Sequence, residues 1–397
     1  MPESVYIGLA LNHGLSYCRG ILRGIRHYAR TKPEWVFVPV AADPRALRSL
    51  GRLGVAGLIA HAYTTQQSRA LSRLSKPVVN VCGVLTDAPF VRVGADDRAV
   101  GRLAGQHLSD RGLRHFGFVG HDGHGYSIQR EAGFRAAVAA RAETLHAYSE
   151  PVAHPFNPMG SMWAVDAAVR SWVRSLPRPV GVFTANDIWG MHIAEVCRQL
   201  ALRVPEDVAL VGVDNDDLLC EMARPTLSSV ALPTERIGCE AAALLDRLLA
   251  GDRPDDGPLL LPPLHVVVRQ SSDTLALKDT EVASAVRYIR ERAHTPTGVN
   301  DVLKAVTISR RSLERRFRMA LERSVWDEIR RAHMERARVL LASSELSIAA
   351  VAEQAGFSDL RQLSVVFRQE TGQTPSAYRR QIRSPVPTSL LPSDRNS

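Results

Sequence analysis

Two hydrophobic patterns divide this chain near residue 270. Before that point, short and nearly continuous apolar runs alternate with stretches whose apolar residues recur every three or four positions. The runs at 4–11, 35–40, 57–60, 78–81, 91–93, 116–120, 180–185 and 208–213 predict strands. The stretches at 17–31, 65–74, 100–108, 128–140 and 188–200 predict helices. Strands that are apolar throughout, not on alternate residues only, are buried on both faces. The helices between them supply the cover, so the order predicts parallel sheets. Ligands in such folds bind beyond the carboxyl ends of the strands. Residues 253–263, rich in Pro, Gly and Asp, read as a loop, 265–268 as a last strand and 271–280 as a polar linker.

From residue 281 the strand pattern disappears and helix follows helix. Val299, Val302, Leu303 and Val306 form one apolar stripe, 307–308 is a tight break, and Ser309 is suited to cap the next helix. That helix buries Leu313 and Phe317, four residues apart, and turns Arg310, Arg311, Glu314 and Arg315 outward. The arrangement recurs. Ser347 caps 348–355, Gly356 permits a turn, and Ser358 caps 359–369, which buries Leu363, Val366 and Phe367. The open face of this second helix carries Arg361, Gln362, Ser364 and Arg368. An amphipathic, arginine-dense helix at 325–341 joins the two units. Two short helices joined by a tight turn, the second with a basic face, form a helix-turn-helix pattern. Arg can bridge O6 and N7 of guanine and Gln can pair with adenine. The competing explanation is a merely solvated basic face, and the tandem repeat of capped basic pairs argues against it.

Charge agrees with that division. Residues 281–384 hold 19 Lys+Arg against 12 Asp+Glu, and the rest of the chain 31 against 29. A basic excess gathered in one segment favours a polyanion partner. The five cysteines are scattered with no C-x-x-C pair, which fits a reducing compartment and argues against a zinc ribbon. No leader pattern and no apolar run of membrane-spanning length is present, so the expectation is a cytoplasmic chain with no membrane partner.

Several polar residues close the predicted strands of the front region. Asp96 and Asp97 follow 91–93, Asn186 and Asp187 follow 180–185, and Asp214 follows 208–213. Arg130 lies on the helix after 116–120. Carboxylates, an amide and an arginine at one crevice supply the paired donors and acceptors that grip sugar hydroxyls. Trp163, Trp189 or Tyr17 could stack on a sugar face, and His13 lies in the first strand–helix loop. Asp187 could instead only cap its helix. An enzyme reading finds carboxylates and loop histidines but no H-E-x-x-H, no G-x-S-x-G and no metal-ligand spacing; a nucleotide reading finds no G-x-G-x-x-G and no P-loop. No cofactor and no metal are expected.

The motifs also resemble known families. Residues 347–357, Phe367-Arg368 and 371–379 resemble the AraC/XylS signature, and 308–317 resembles its first recognition helix. That resemblance implies two helix-turn-helix units in adjacent major grooves, with Arg311, Glu314 and Arg315, then Arg361, Gln362 and Ser364, as DNA contacts. Leu363 and Val365 depart from the family pattern. Asp96-Asp97, 130–134, 184–187, 211–215 and 225–230 resemble the LacI/GalR effector domain. That resemblance implies a periplasmic-binding-protein fold with Arg130, Asn186, Asp214 and, less closely, Asp96 as ligand contacts.

The expected fold class is therefore an α/β two-lobed periplasmic-binding-protein-like domain with parallel sheets, followed by an all-α double helix-turn-helix domain. The boundaries expected are an effector domain at 1–272, a linker at 273–280, a DNA-binding domain at 281–384 and a disordered tail at 385–397. Its first lobe takes about 1–113 and 226–252, its second about 114–225 and 258–272. The expected function is a sugar-responsive transcription regulator, an activator of a pentose operon. The partners expected are promoter DNA, xylose or a related sugar, a second copy of the chain, and RNA polymerase. Two alternatives stand beside it: a constitutive DNA-binding dimer with a degenerate pocket, and a sugar-modifying enzyme.

Overall fold

The computed structural model describes residues 4–41, 43–150, 166–252, 257–273, 277 and 279–383. Its strands are β1 (Val5–Ala10), β2 (Trp35–Pro39), β3 (Gly57–Ala60), β4 (Val78–Asn80), β5 (Val91–Ala95), β6 (His115–His121), β7 (Thr144–Glu150), β8 (Val180–Thr184), β9 (Val208–Val213), β10 (Ser228–Val230), β11 (Leu259–Leu261) and β12 (Val266–Val267). They form two six-stranded sheets, ordered β11-β5-β4-β3-β1-β2 and β12-β10-β9-β8-β6-β7. Every described pairing is parallel except β10 with β12. The central strands β3, β8 and β9 are buried at every residue, as their unbroken apolar runs require.

Among the described residues of the front region, nine helices cover these sheets: α1 (Ser16–Ala29), α2 (Pro44–Ser49), α3 (Thr65–Ser72), α4 (Asp97–Ser109), α5 (Gly125–Val138), α6 (Asp166–Ser175), α7 (Asp187–Gln199), α8 (Asp217–Met222) and α9 (Thr234–Leu249). Glycines let two helix pairs touch backbone to backbone. A Cβ on Gly24 or Gly238 would strike the facing helix of the α1–α9 pair, and one on Gly101 or Gly133 would do so in the α4–α5 pair.

The chain crosses between lobes at points that differ from the expected ones. Helix α4 packs against α5 and the second sheet, so the first crossing lies near residue 96 and not 113. Strand β10 belongs to the second sheet and α9 packs on the first, which moves the next crossing from 226 to the segment 231–233. Residues 259–261, read as loop, form β11 beside β5 in the first sheet. The loop reading failed because Pro and Gly flank a run of only three leucines. Of the expected linker, residues 274–276 and 278 lie outside the described residues, as does the expected tail.

The rear region contains α10 (Thr280–Glu291), α11 (Val299–Val302) with a 3-10 turn at Leu303–Ala305, α12 (Arg310–Leu321), α13 (Val325–Ser343), α14 (Ile348–Gln354), α15 (Leu360–Thr371) and α16 (Pro375–Arg383). It has two separate apolar cores. The first gathers Val286, Ile289, Val302, Leu313 and Phe317 with Val325 and Ile329 from the start of α13. The second gathers Val351, Leu363, Phe367 and Tyr378 with Met334, Ala337 and Leu341 from its later turns. Helix α13 is therefore a shared beam with one helix-turn-helix unit on each half.

Local chemistry ends these helices as the sequence demands. The Ser347 hydroxyl accepts from the Ala350 amide at 3.1 Å and the Ser309 hydroxyl from Ser312 at 3.4 Å. In the second unit the cap is Asp359 and not Ser358: its carboxylate accepts from the Gln362 amide at 2.7 Å. Ser347→Ala should cost about 1 kcal/mol, seen as a lower urea midpoint with an unchanged slope.

Candidate effector site and nucleic-acid interface

The carboxyl ends of both sheets open on a cavity of about 530 Å³. Arg130, on the second turn of α5, lies at its heart and is 5% exposed. Its Nε donates to Asp97 Oδ1 at 2.9 Å and its Nη1 to the Ala185 carbonyl at 2.5 Å. The guanidinium also lies over the Tyr126 ring, 4.8 Å from its centre. Burial works against this cation, but Asp97 and Asp214 outweigh it and hold its pKa above the usual range. Burial raises the Asp97 carboxyl, and the charge and hydrogen bond of Arg130 pull against that rise.

Asp214 follows the end of β9 with φ +105°, a left-handed conformation that turns the chain back over the cavity. Burial pushes its carboxyl up to about 6; Arg130 opposes the shift, while Asp97 and Asp216 add to it. Asn186 caps α7, accepting from the Trp189 amide at 2.9 Å. Its amide nitrogen lies 3.5 Å from His121 Nε2 at the cavity wall.

The other expected contacts fare differently. The cavity is lined by Asp97 and not by Asp96. Asp96 is the α4 cap, accepting from Ala99 at 2.8 Å, with Arg102 at 3.7 Å. Both oxygens of Asp187 are engaged, one by the Ser229 hydroxyl at 2.6 Å and one by the Asp216 amide at 2.8 Å. Asp187 thus ties β10 to the 214–216 turn, and the cap its position suggested is made by Asn186. Trp189 is 1% exposed and donates its indole N–H to His121 Nε2 at 3.1 Å. It backs the wall. His13 is exposed and outside the lining. Trp163 lies outside the described residues.

Sequence reasoning missed Arg92, His61 and Tyr126 as lining groups, and His121 entered only among the loop histidines, with His13 and His124, of the enzyme reading. His61 directly follows β3 and His121 ends β6, so strand-end position could have found both. Tyr126 sits four residues before Arg130 on one helix face. Burial lowers His61 to about 4. Burial, helped by His124, lowers His121 to about 3. Both imidazoles are neutral near pH 7. Because an indole N–H can only donate, His121 Nε2 must be the acceptor and its proton sits on Nδ1.

On the rear region, Arg310, Arg311 and Arg315 are exposed on α12, with Glu314 half-buried beside them. Arg361 and Arg368 are exposed on α15. Among the described residues, none of these five arginine side chains takes part in a hydrogen bond or ion pair. The polar residues of α15 are engaged locally: Gln362 Oε1 accepts from the Ser358 amide at 2.8 Å, and the Ser364 hydroxyl donates to the Leu360 carbonyl at 2.8 Å. The second helix of each helix-turn-helix unit thus presents a row of unneutralised arginines, whose donors are of the kind that phosphates and base edges accept.

Comparison with known proteins joins the two surfaces. A periplasmic binding protein-like domain matches residues 106–272 and a helix-turn-helix domain matches 302–381. The xylose operon regulatory protein of Escherichia coli (strain K12) is 32% identical over 383 residues, covering 94% of this chain and 96% of that protein. The chain belongs to the xylose operon regulator family. The Haemophilus influenzae protein of the same name is 29% identical, over 96% of this chain and 99% of its own. A solved structure described as the xylose-binding transcription activator xylR covers 95% of this chain and 98% of its own, with 30% identity and a TM-score of 0.60. The regulator is thus a DNA-binding transcription factor and not an enzyme. One expectation is overturned. The C-terminal motifs suggested the AraC/XylS family, but the domain matched there is described only as helix-turn-helix, and the full-length relatives place the chain with LacI/GalR-type regulators related to XylR. Short helix-capping and core motifs of the rear region do not decide the family of the whole chain. Among the described residues, no helix is long and apolar enough to cross a membrane.

Proposed function

We propose that this chain is a pentose-responsive transcription activator that binds its sugar in the cleft around Arg130 and reads promoter DNA with α12 and α15. The observation that carries the reading is the buried Arg130–Asp97 pair at the mouth of two parallel sheets, with Asp214 beside it. Three arginines meet four aspartates in the cleft lining, leaving no excess of cations, so the cleft suits a neutral polyol better than an anion. The relatives named for the xylose operon support xylose or a near relative. Arg130, Asp97, Asp214 and Asn186 form the ligand set, with Tyr126 against the sugar face. Arg310, Arg311, Arg315, Arg361 and Arg368 form the DNA set, with Glu314, Gln362 and Ser364 beside them. Two copies of the chain bind adjacent half-sites, and the activator contacts RNA polymerase from there. The decisive experiment is calorimetry of the full chain against D-xylose, D-ribose, L-arabinose and D-glucose; micromolar binding to one pentose is expected, and no heat with any of them would overturn the reading.

Affinity should also depend on pH. Sugar hydroxyls donate best to an ionised carboxylate, so bound sugar draws the pKa of Asp214 down from about 6. By linkage, affinity rises as pH climbs through that value and is flat above it. Binding at pH 5 should be several-fold weaker than at pH 7.5 and should release protons, and equal affinity at both would exclude Asp214 from the contact. For the DNA surface, Arg315→Ala should weaken operator binding by about 1–3 kcal/mol if it reads a base. Loss of a phosphate contact instead lowers the salt slope by roughly one unit. Unchanged affinity in a salt titration would remove Arg315 from the interface.

A further inference from the structure

The rear region is not tethered at one point but is fastened to both lobes of the sensor. Asp110, at the end of α4, forms the first fastening. Its carboxylate pairs with Arg323 at 3.2 Å and with Arg331, and its carbonyl accepts from Arg290 at 3.3 Å and Arg323 at 3.4 Å. Nearby, just past the end of α5, Arg141 donates to the Leu321 carbonyl at 2.5 Å and faces Glu322 at 3.4 Å, while Arg114 faces Glu322 at 3.5 Å. All of these sensor residues belong to the second lobe, and their partners lie at the end of α10, at the junction of α12 and α13 and on the opening turns of α13, all in the first helix-turn-helix unit.

The second fastening holds the other unit. Arg236, on α9 of the first lobe and 3% exposed, donates to the Arg380 carbonyl at 3.2 Å. The Tyr378 hydroxyl donates to the Leu264 carbonyl at 3.1 Å, on the segment where the chain crosses between lobes. Tyr378 and Arg380 lie on α16, which packs in the second core.

The character of the joint matters as much as its position. No described apolar core includes residues from both sensor and reader. The contacts are charges and hydrogen bonds, and those of Asp110 border a cavity of about 840 Å³ lined by Asp110, Arg111, Arg290, Arg323, Glu328 and Glu335 among others. Polar interfaces with room in them rearrange at low cost, whereas packed apolar ones do not. Helix α4 itself is a rigid link. Asp97 at its start faces the cleft, Asp110 follows its end, and thirteen residues of helix separate the two by about 20 Å. Gly101 and Gly133 lock it to α5, which carries Arg130.

We infer that the reader is strapped across the sensor's cleft, the first helix-turn-helix unit to the second lobe through Asp110 and the second unit to the first lobe through α16, so that relative motion of the lobes resets the angle between the two units about α13. The inference rests on the cleft being the effector site. It explains why two cores share one beam: each half follows its own lobe. A ligand that favours one lobe arrangement thereby favours one spacing of the recognition helices, in proportion to its differential affinity for the two states.

The test places spin labels at Met319→Cys on α12 and Val365→Cys on α15, both exposed, in a chain whose five own cysteines are buried. The full-length protein should give one narrow distance that shifts on adding D-xylose. Asp110→Ala should broaden that distance even without sugar, remove the shift, and shrink the sugar-induced change in operator affinity to less than twofold, while sugar affinity stays within twofold of the parent. Asp110→Asn, which keeps the shape and loses the charge, guards against misfolding and should give an intermediate width. A distance equally narrow in both variants, or a full sugar effect on operator binding after Asp110→Ala, would overturn the strap. If the parent chain binds no sugar, the effector reading fails, and the ligand-free broadening still decides the strap.

Discussion

Replacing Arg130 by alanine should abolish the sugar response while leaving operator binding in place. A hydrogen bond to a charged group is worth about 1.5–3 kcal/mol, so sugar affinity should fall roughly tenfold to hundredfold from one lost contact. The loss extends further. Arg130 holds Asp97 at 2.9 Å and the Ala185 carbonyl at 2.5 Å, so its removal leaves a buried carboxylate without its hydrogen-bonded cation, with only the charge of Arg92 still acting on it. Breaking a buried pair in this way costs about 3–5 kcal/mol of stability. Asp97 can escape part of that cost by taking a proton, since burial already raises its pKa. Without Arg130 its folded-state pKa climbs further above the unfolded value. The native state then binds the extra proton, and the variant's stability deficit shrinks as pH falls. Melting curves at pH 5 and pH 8 should therefore differ more from the parent at pH 8. A variant that answers to sugar with parental affinity would show that the cleft is not centred on Arg130.

Much of the architecture was legible in the chain because the physics is local. The run 208–213 has no polar residue to place on a wet face, and 180–185 has only Thr184 near its end, so both had to lie in sheet interiors, and they do. Leu313 with Phe317, and Leu363 with Phe367, mark the buried faces of α12 and α15 through four-residue spacing alone. The serine caps at 309 and 347 were equally local. What the sequence hid was non-local. Whether Asp96 or Asp97 faces the cleft depends on the direction in which α4 leaves β5, and a one-residue difference rotates a side chain by about 100° around a helix. Asp187 looked like a ligand because it closes a strand; only the fold brings Ser229 and the Asp216 amide to consume both oxygens. The lobe crossings were misplaced because α4 and α9 are amphipathic either way, and the pattern does not say which sheet they cover. The polar joint at Asp110 has no periodic signature at all, since its partners lie about two hundred residues away.

The two-core construction of the reader makes its own strong demand. Phe367 is fully buried and meets Tyr378 edge to face at 5.1 Å. Phe367→Ala removes a fully buried phenylalanine from the second core, at a cost of about 3–5 kcal/mol. A unit of three short helices on half a beam has little stability to spare. The second helix-turn-helix unit should therefore melt, while Phe317 and Leu313 keep the first one folded around the opening turns of α13. Hydrogen exchange should show fast amides across α14, α15 and α16 with protection retained in α12. Operator affinity should drop to that of a single unit, with the protected stretch of DNA roughly halved. The matching change Phe317→Ala should do the reverse, exposing α12 and sparing α15. Loss of protection in both units from either substitution would mean that α13 transmits unfolding as well as position, and that the reader is one cooperative body instead of two units on a shared helix.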